Sequence, residues 1–231
     1  MNGSPGEARC TACATRAVCI VGELGPEVAR QVEPHIVTSR FRRGSVLSEE
    51  GLVSNATRSI KLGTAIVMRS TPGGGRRPVA FIGRGAPVAL LGYYGMRNQT
   101  TTVAGSPVLA CDVPHAPLRQ LSLPEPWIPR RLGELAAAAL GNMADWSASA
   151  RESGTVNQVA HVLLLLQRAQ GSTVIELPQH VDLAALLGAR RETIARALAT
   201  LEHEGAVRGI GRHRCETFAA RLRARLGPTA P

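Results

Sequence analysis

The chain has almost no lysine. Of its 27 basic residues only Lys61 is one, and every other cation is an arginine. Acidic residues are scarce too, 17 against 27, which leaves a formal charge of +10 and points to a polyanionic partner. An arginine bias with abundant Ala and Gly also fits a GC-rich genome, so charge alone decides little. Long apolar runs are missing as well. The strongest, residues 162–166, falls far short of the roughly twenty residues that span a bilayer. Residues 1–10 contain no apolar segment of the secretory-signal kind. Five cysteines, an odd number, suit a reducing compartment better than a disulfide framework. A cytoplasmic protein without membrane contact is expected. The sequence offers no nucleophile–base or cofactor-phosphate motif, so an enzyme is not expected.

With 231 residues, 44% of them hydrophobic, the chain can bury a real core. Four segments are expected. Residues 1–24 form a short cysteine-bearing arm. In 25–122, a helical turn or two, with Leu24, Val28 and Val32 at four-residue spacing, leads into short apolar runs separated by turn residues. Strands are expected over 46–47, 60–68, 79–82, 100–103 and 108–113, a pattern that suggests a sandwich or roll. Pro124, Pro126 and Pro129 should then stop the sheet. Segment 124–152 is expected to hold one long helix from about residue 130. Its Leu132, Leu135, Ala139, Met143, Trp146 and Ala150 follow a three-four spacing and make one apolar seam. That seam suits packing on the chain's own sheet or on a second copy. A dimer is the favoured expectation, because the C-terminal segment reads as a motif that commonly works as a two-fold pair.

Segment 155–231 begins with a helix over 155–169 that is apolar on more than one side, the expected core of a small domain. Asp182 can cap a following helix whose Leu183, Leu186 and Leu187 face inward. Gly188 permits a tight turn. The next helix, about 191–203, buries Ile194, Leu198 and Leu201 and ends at Gly205. Its open face carries Arg191, Glu192, Ala195, Arg196 and Ala199. Arginine can bond a guanine O6/N7 edge bidentately and glutamate can accept from a cytosine amine, at about 1–3 kcal/mol of discrimination for each good pair. Residues 208–218 read as a basic hairpin, a wing that could touch phosphate. A charged surface helix with no partner would look similar in isolation. Turn glycine, buried spacing and wing together favour DNA. The tail 219–231 reads as a solvated basic end.

Four cysteines remain. Cys10, Cys13 and Cys19 form C-x2-C-x5-C, and Cys111 stands alone in an expected strand. Thiolates bind zinc or iron–sulfur centres. Zinc sites more often come as two close cysteine pairs. A redox dithiol at Cys10 and Cys13 would want a βαβ setting that is absent, and Cys111 could simply be a core residue. Cys215, in the wing, reads as structural, and His115 as a turn residue rather than a ligand.

Residues 181–218 resemble the winged helix-turn-helix of the cyclic AMP receptor protein/FNR superfamily. The likeness runs through Asp182-Leu-Ala, Leu187-Gly188, Arg191-Glu-Thr-Ile-Ala-Arg196 and Leu201-Glu-His-Glu-Gly205. It implies an α+β fold: an N-terminal β-roll of the cyclic-nucleotide-binding jelly-roll type, a long dimerisation helix and a C-terminal winged helix-turn-helix. It also implies a homodimer on double-stranded palindromic promoter DNA, with RNA polymerase as a further partner. Where the family usually has a capping Ser or Thr, this chain has Arg190, a loss of about 1 kcal/mol. Arg190 is therefore expected to touch the DNA backbone.

Cyclic-nucleotide members need a Gly-Glu pair and an Arg-Ser pair. The corresponding stretch 90–99, Leu-Leu-Gly-Tyr-Tyr-Gly-Met-Arg-Asn-Gln, has neither, so cyclic-nucleotide binding is not expected. The oxygen-sensing FNR branch is similar at the cysteines, including Ala110-Cys111-Asp112-Val113-Pro114. By that resemblance Cys10, Cys13, Cys19 and Cys111 would ligate an oxygen-labile [4Fe–4S] cluster that gates dimerisation and DNA binding, with nitric oxide as another trigger. The alternative is a superfamily regulator gated by a small ligand or zinc. Two departures stand out: no aromatic precedes Gly63, and Ala195 replaces the serine of FNR-type recognition helices. The half-site expected is accordingly nearer TGTGA than TTGAT.

Overall fold

The structure, a computed structural model, describes residues 10–211 and 213–227. Residues 1–9, Arg212 of the wing and the last four residues of the tail lie outside the described residues. Short 3-10 turns at Cys10–Ala12 and Arg16–Val18 lead into α1 (Ile20–Glu23) and α2 (Gly25–Val32). Two four-stranded antiparallel sheets follow. One has the order β1 (Val37–Phe41), β8 (Val108–Pro114), β3 (Ala56–Leu62), β6 (Pro87–Val88). The other runs β2 (Val46–Ser48), β7 (Thr101–Ala104), β4 (Ala65–Ser70), β5 (Arg76–Ile82). Their inner faces bury Leu47, Ile60, Ile66, Phe81, Val108 and Ala110.

The single strand expected over 60–68 is two strands, β3 and β4, that belong to different sheets. Gly63 separates them at φ +88°, and a Cβ there would lie 2.2 Å from the Pro107 carbonyl oxygen. Only glycine takes that corner without strain. Strand β1 is not foreshadowed by its Val-Thr-Ser-Arg-Phe sequence, yet it places Thr38 opposite Cys111. Strand β3 flanks Cys111 on the other side through Ser59. Cys111 thus sits mid-sheet, between two polar neighbours.

The sheet ends at Pro114, ten residues before the prolines expected to stop it, and α3 (His115–Ser122) follows. Pro117 is tolerated because it falls in the first turn, where backbone N–H groups lack helical partners anyway. His115 is a buried residue (1% exposed) rather than a turn residue, with Nε2 2.9 Å from Thr57 Oγ1. Burial, aided by the charge of Arg119, pushes its pKa down to about 4. Between pH 6.5 and 4 the unfolded chain therefore binds a proton that the folded chain refuses. Stability present at neutral pH is lost across that window on acidification, by up to about 3 kcal/mol. Denaturant midpoints at pH 7 and pH 4.5 should differ accordingly, and His115→Gln should flatten the dependence. An unchanged slope in that variant would assign the acid sensitivity elsewhere.

Helix α4 spans Trp127–Ser149, starting three residues before the expected point, with Pro129 in its first turn. Part of its seam is covered by its own chain. Leu132 is completely covered by its own chain, and Trp146 (1% exposed) meets Phe81 edge-on at 5.4 Å between ring centroids. Leu135, Ala139 and Met143 line a cavity against the roll, and Ala150 packs on the core. Leu132 and Trp146 are therefore taken up within the chain, whereas Leu135, Ala139, Met143 and Ala150 are only partly buried. Three-four spacing fixes which residues share a face, not what covers it. The open face of α4 carries small residues instead: Ala137, Ala144, Ser147 and Ala148, with Leu140 at 72% exposure.

Helix α5 (Thr155–Gln170) buries an unbroken run from Val159 to Leu166. Around it lie β9 (Val174–Glu176), α6 (His180–Leu187), α7 (Arg191–His203), β10 (Val207–Gly211) and β11 (Arg214–Thr217). The tail is not a free solvated end. Residues Ala219–Leu226 form α8, which seats Leu222 in the core at 0% exposure. Its basic residues face out while one leucine per two turns anchors the helix.

Candidate nucleic-acid interface and thiol cavity

In the helix-turn-helix, α6 begins after Gln179, and Asp182 lies inside its first turn without capping it, contrary to expectation. Burial pushes the Asp182 carboxyl pKa up, against the charge of Arg43. Gly188 makes the turn at φ +64°. Helix α7 starts after Arg190, whose extended backbone is that of an N-cap but whose side chain makes no capping bond. The inner face of α7 buries Ile194, Ala197 and Leu201, with Leu198 partly covered. Arg190, Arg191, Glu192, Ala195 and Arg196 are all exposed. Three cations and a carboxylate thus stand around the open N-terminal half of one helix.

The wing is a three-stranded sheet in the order β10, β11, β9. Arg208 is paired with Glu216 across it. Cys215 is buried at 2% exposure, and burial, with a smaller push from Glu202, raises its thiol pKa to about 12. It stays a neutral core thiol, in keeping with a structural role in the wing.

The remaining four cysteines come together. Cys10, Cys13 and Cys19 of the arm and Cys111 of β8 line one cavity of about 20 Å³, with Thr15, Ser59 and Lys61 among its other walls. Several contacts seat the arm there. Arg84 donates to the Ala14 carbonyl. Thr15 Oγ1 donates to the Lys61 carbonyl at 3.5 Å, and the Cys10 amide to Glu33 Oε1 at 2.8 Å. Val18 lies so near Gly85 that a Cβ would stand 2.3 Å from its carbonyl oxygen, a closeness only glycine allows. Cys19 starts α1, its sulfur accepting from the Gly22 amide at 3.4 Å.

As the side chains stand, no group of three or more Cys, His, Asp or Glu among the described residues is close enough to hold a metal ion. Burial raises the Cys10 pKa to about 11, with the charge of Glu33 adding to it, and it raises that of Cys111, with Lys61 and Thr38 pulling the other way. The donor set itself, four thiols and no competing ligand type, is what zinc or an iron–sulfur cluster takes.

One apolar cluster connects this cavity to α4. It contains Cys10, Ile20, Val21 and Leu24 of the arm together with Ile128 and Leu132, and Cys19, Cys111 and Leu135 pack against it. Arg131 of α4 pairs with Glu23 of α1. A second cavity, of about 830 Å³, lies between the roll and α4 and includes Arg84, Leu90 and Met143 in its wall. The stretch corresponding to a phosphate cassette is a 3-10 turn, Leu90–Tyr94, with no carboxylate in it. The sequence reading missed Lys61, Thr15 and Glu33. Only Lys61 carried a signal, as the chain's sole lysine.

Comparison with known proteins fits these features. Residues 157–223 match the Crp-like helix-turn-helix domain family. The chain is 26% identical over 206 residues to the nitrogen fixation regulation protein FixK of Bradyrhizobium diazoefficiens, covering 86% of this chain and 85% of that one. In structure it is similar to FixK2 from Bradyrhizobium japonicum, with a TM-score of 0.73, 20% identity, and coverage of 85% of this chain and 99% of that one. It is also similar to a CRP/FNR family transcriptional regulator from Thermus thermophilus, with a TM-score of 0.61, 19% identity, and coverage of 84% and 100%. Among the described residues no helix is long and apolar enough to cross a membrane.

Proposed function

We propose that this chain is a DNA-binding transcription regulator of the Crp/FNR superfamily, not an enzyme, and that it is of the metal-gated kind, with a four-thiolate centre controlling its dimer. Regulators of this family bind promoter DNA as dimers. The observation that carries the reading is the meeting of Cys10, Cys13, Cys19 and Cys111 on one cavity, from opposite ends of the roll sequence. A [4Fe–4S] cluster bound there would supply an oxygen- or nitric-oxide-reactive group. The chain's own part is mechanical. The thiols would tie the arm to β8, and Ile20, Val21 and Leu24 would brace Leu132 and Leu135 of α4. Releasing the thiols would loosen the inner face of α4 and so disturb its open, small-residue face, proposed here as the dimer seam.

A second reading has one observation in its favour. The same four thiols on one cavity are a donor set that zinc also takes. Metal analysis separates the two. Anaerobically purified protein should be brown and contain iron with acid-labile sulfide, and Cys111→Ser should lose both while keeping its helix content. Zinc without sulfide would select the second reading. Metal-free protein that still binds DNA on cue would leave a small ligand in the larger cavity as the gate.

For DNA, we infer that two copies of α7 enter major grooves about 34–36 Å apart on a palindrome, with RNA polymerase as the neighbouring partner. Arg191→Ala should cost about 1–3 kcal/mol at one base-pair position, whereas Arg190→Ala should weaken all sequences alike and reduce the salt slope by about one. Binding isotherms on a substituted operator panel test this. The same loss on every sequence for both variants would remove the base-reading role. A clear preference for TTGAT over TGTGA half-sites would overturn the reading drawn from Ala195.

A further inference from the structure

We propose that Lys61 is the counter-cation of the thiol cavity, placed there by a bulge in β3 to offset the negative charge that four metal-bound thiolates bring together. The inference rests on the metal-site reading above. Strand β3 pairs with β8 as Ser59 with Cys111 and Ile60 with Ala110, and then Leu62, not Lys61, pairs with Leu109. Lys61 is the extra residue of that step. A bulge re-aims a side chain and is retained where the aim matters. Here Lys61 lines the same cavity as the four cysteines.

Three further observations agree. In a chain whose other basic residues are all arginine, the single lysine stands at this cavity. No carboxylate among the described residues forms an ion pair with it, while its neighbour Arg58 is paired with Asp112 at 3.0 Å. Its carbonyl accepts the Thr15 hydroxyl, so the bulge also holds the arm. The chemistry explains why a lysine suits the place. A dipositive ion or cluster core within four thiolates leaves two negative charges in a half-buried site. A lysine ammonium is a compact charge with three rotatable donors, able to meet sulfur acceptors that a rigid planar guanidinium would approach less freely. Arg16 also borders the cavity, but from the arm, the part the metal must capture.

The test uses the full chain loaded anaerobically with iron and sulfide. Lys61→Met and Lys61→Gln should release iron to a chelator several-fold faster than wild type, and the reduction midpoint of the bound cluster should move to more negative potential. Lys61→Arg should restore most of the retention, because the charge is kept. Arg16→Met is the control and should change retention less. Should Lys61→Met misfold, Lys61→Gln, which keeps a polar stem, carries the comparison. Wild-type retention and midpoint in both neutral variants would overturn the role of Lys61 and leave the metal site standing. An equal loss in Arg16→Met would assign the effect to general charge and overturn it as well. A wild-type chain that binds neither iron nor zinc would overturn the metal site and this inference together.

Discussion

An arginine at Ala144 is expected to leave the chain folded but monomeric, and to weaken binding to a full palindrome by about a hundredfold or more. The magnitude follows from valency. Two recognition helices held by one dimer bind the second half-site at high effective concentration, which is worth about 10²–10⁴ in avidity. The position follows from the structure. Ala144 is exposed on the face of α4 where Ala137, Leu140, Gly141 and Ala148 are exposed too. Small side chains let two helix backbones approach closely. Across a two-fold axis each arginine would meet its own copy, so the variant adds bulk and like charge at once. Ala144 belongs to neither buried core cluster, and stability should therefore change by less than about 0.5 kcal/mol. Sedimentation equilibrium and binding to a single half-site complete the measurement. Half-site affinity should be unchanged, and a dimer that survives the arginine would move the seam to another surface.

That expectation could not be read from sequence, and the reason is instructive. The apolar spacing of Leu132, Leu135, Met143 and Trp146 correctly groups residues on one side of α4. Yet the roll and the arm are available to cover that side within one chain, so the large side chains go inward. The face left for a partner is made of alanine, glycine and serine, which carry no periodic signal. Strands misread for a comparable reason. Residues 60–68 look like one apolar run because the corner at Gly63 is a tertiary event, made by the approach of Pro107. The helix-turn-helix was legible because its signals are local: the Gly188 turn and the buried Ile194 and Leu201 lie within one short segment. Its error, the cap assigned to Asp182, was one of boundaries. Lys61 was unreadable as a site residue because its aim depends on a one-residue register shift between β3 and β8. Local chemistry is written in the chain; what covers what is settled only by packing.

The joint between the roll and the DNA-binding domain gives the last large effect. Trp146→Ala should destabilise the chain by about 3–5 kcal/mol. Trp146 lies at 1% exposure in contact with Phe81 of β5, and the same cluster continues into Val159 and Leu163 of α5. Two opposing effects must be compared. The indole Nε1 is buried without a hydrogen-bond partner among the described residues, a desolvation cost of about 1–3 kcal/mol. Removing it returns that much. Burying some 150–250 Å² of aromatic surface is worth about 4–6 kcal/mol at roughly 25 cal/mol/Å², and the cavity left by alanine adds to the loss. Burial wins. Trp146→Phe separates the contributions, because it sheds the orphaned donor while keeping a ring against Phe81, and it should cost about 1 kcal/mol or less. Denaturant unfolding followed by separate roll and helix probes reads both variants. The alanine form should lose coincidence between the probes, since this aromatic contact links the roll to α4 and α5. A Trp146→Phe loss as large as that of Trp146→Ala would mean that the indole nitrogen is engaged after all, and that the joint is held by a polar bond rather than by buried surface.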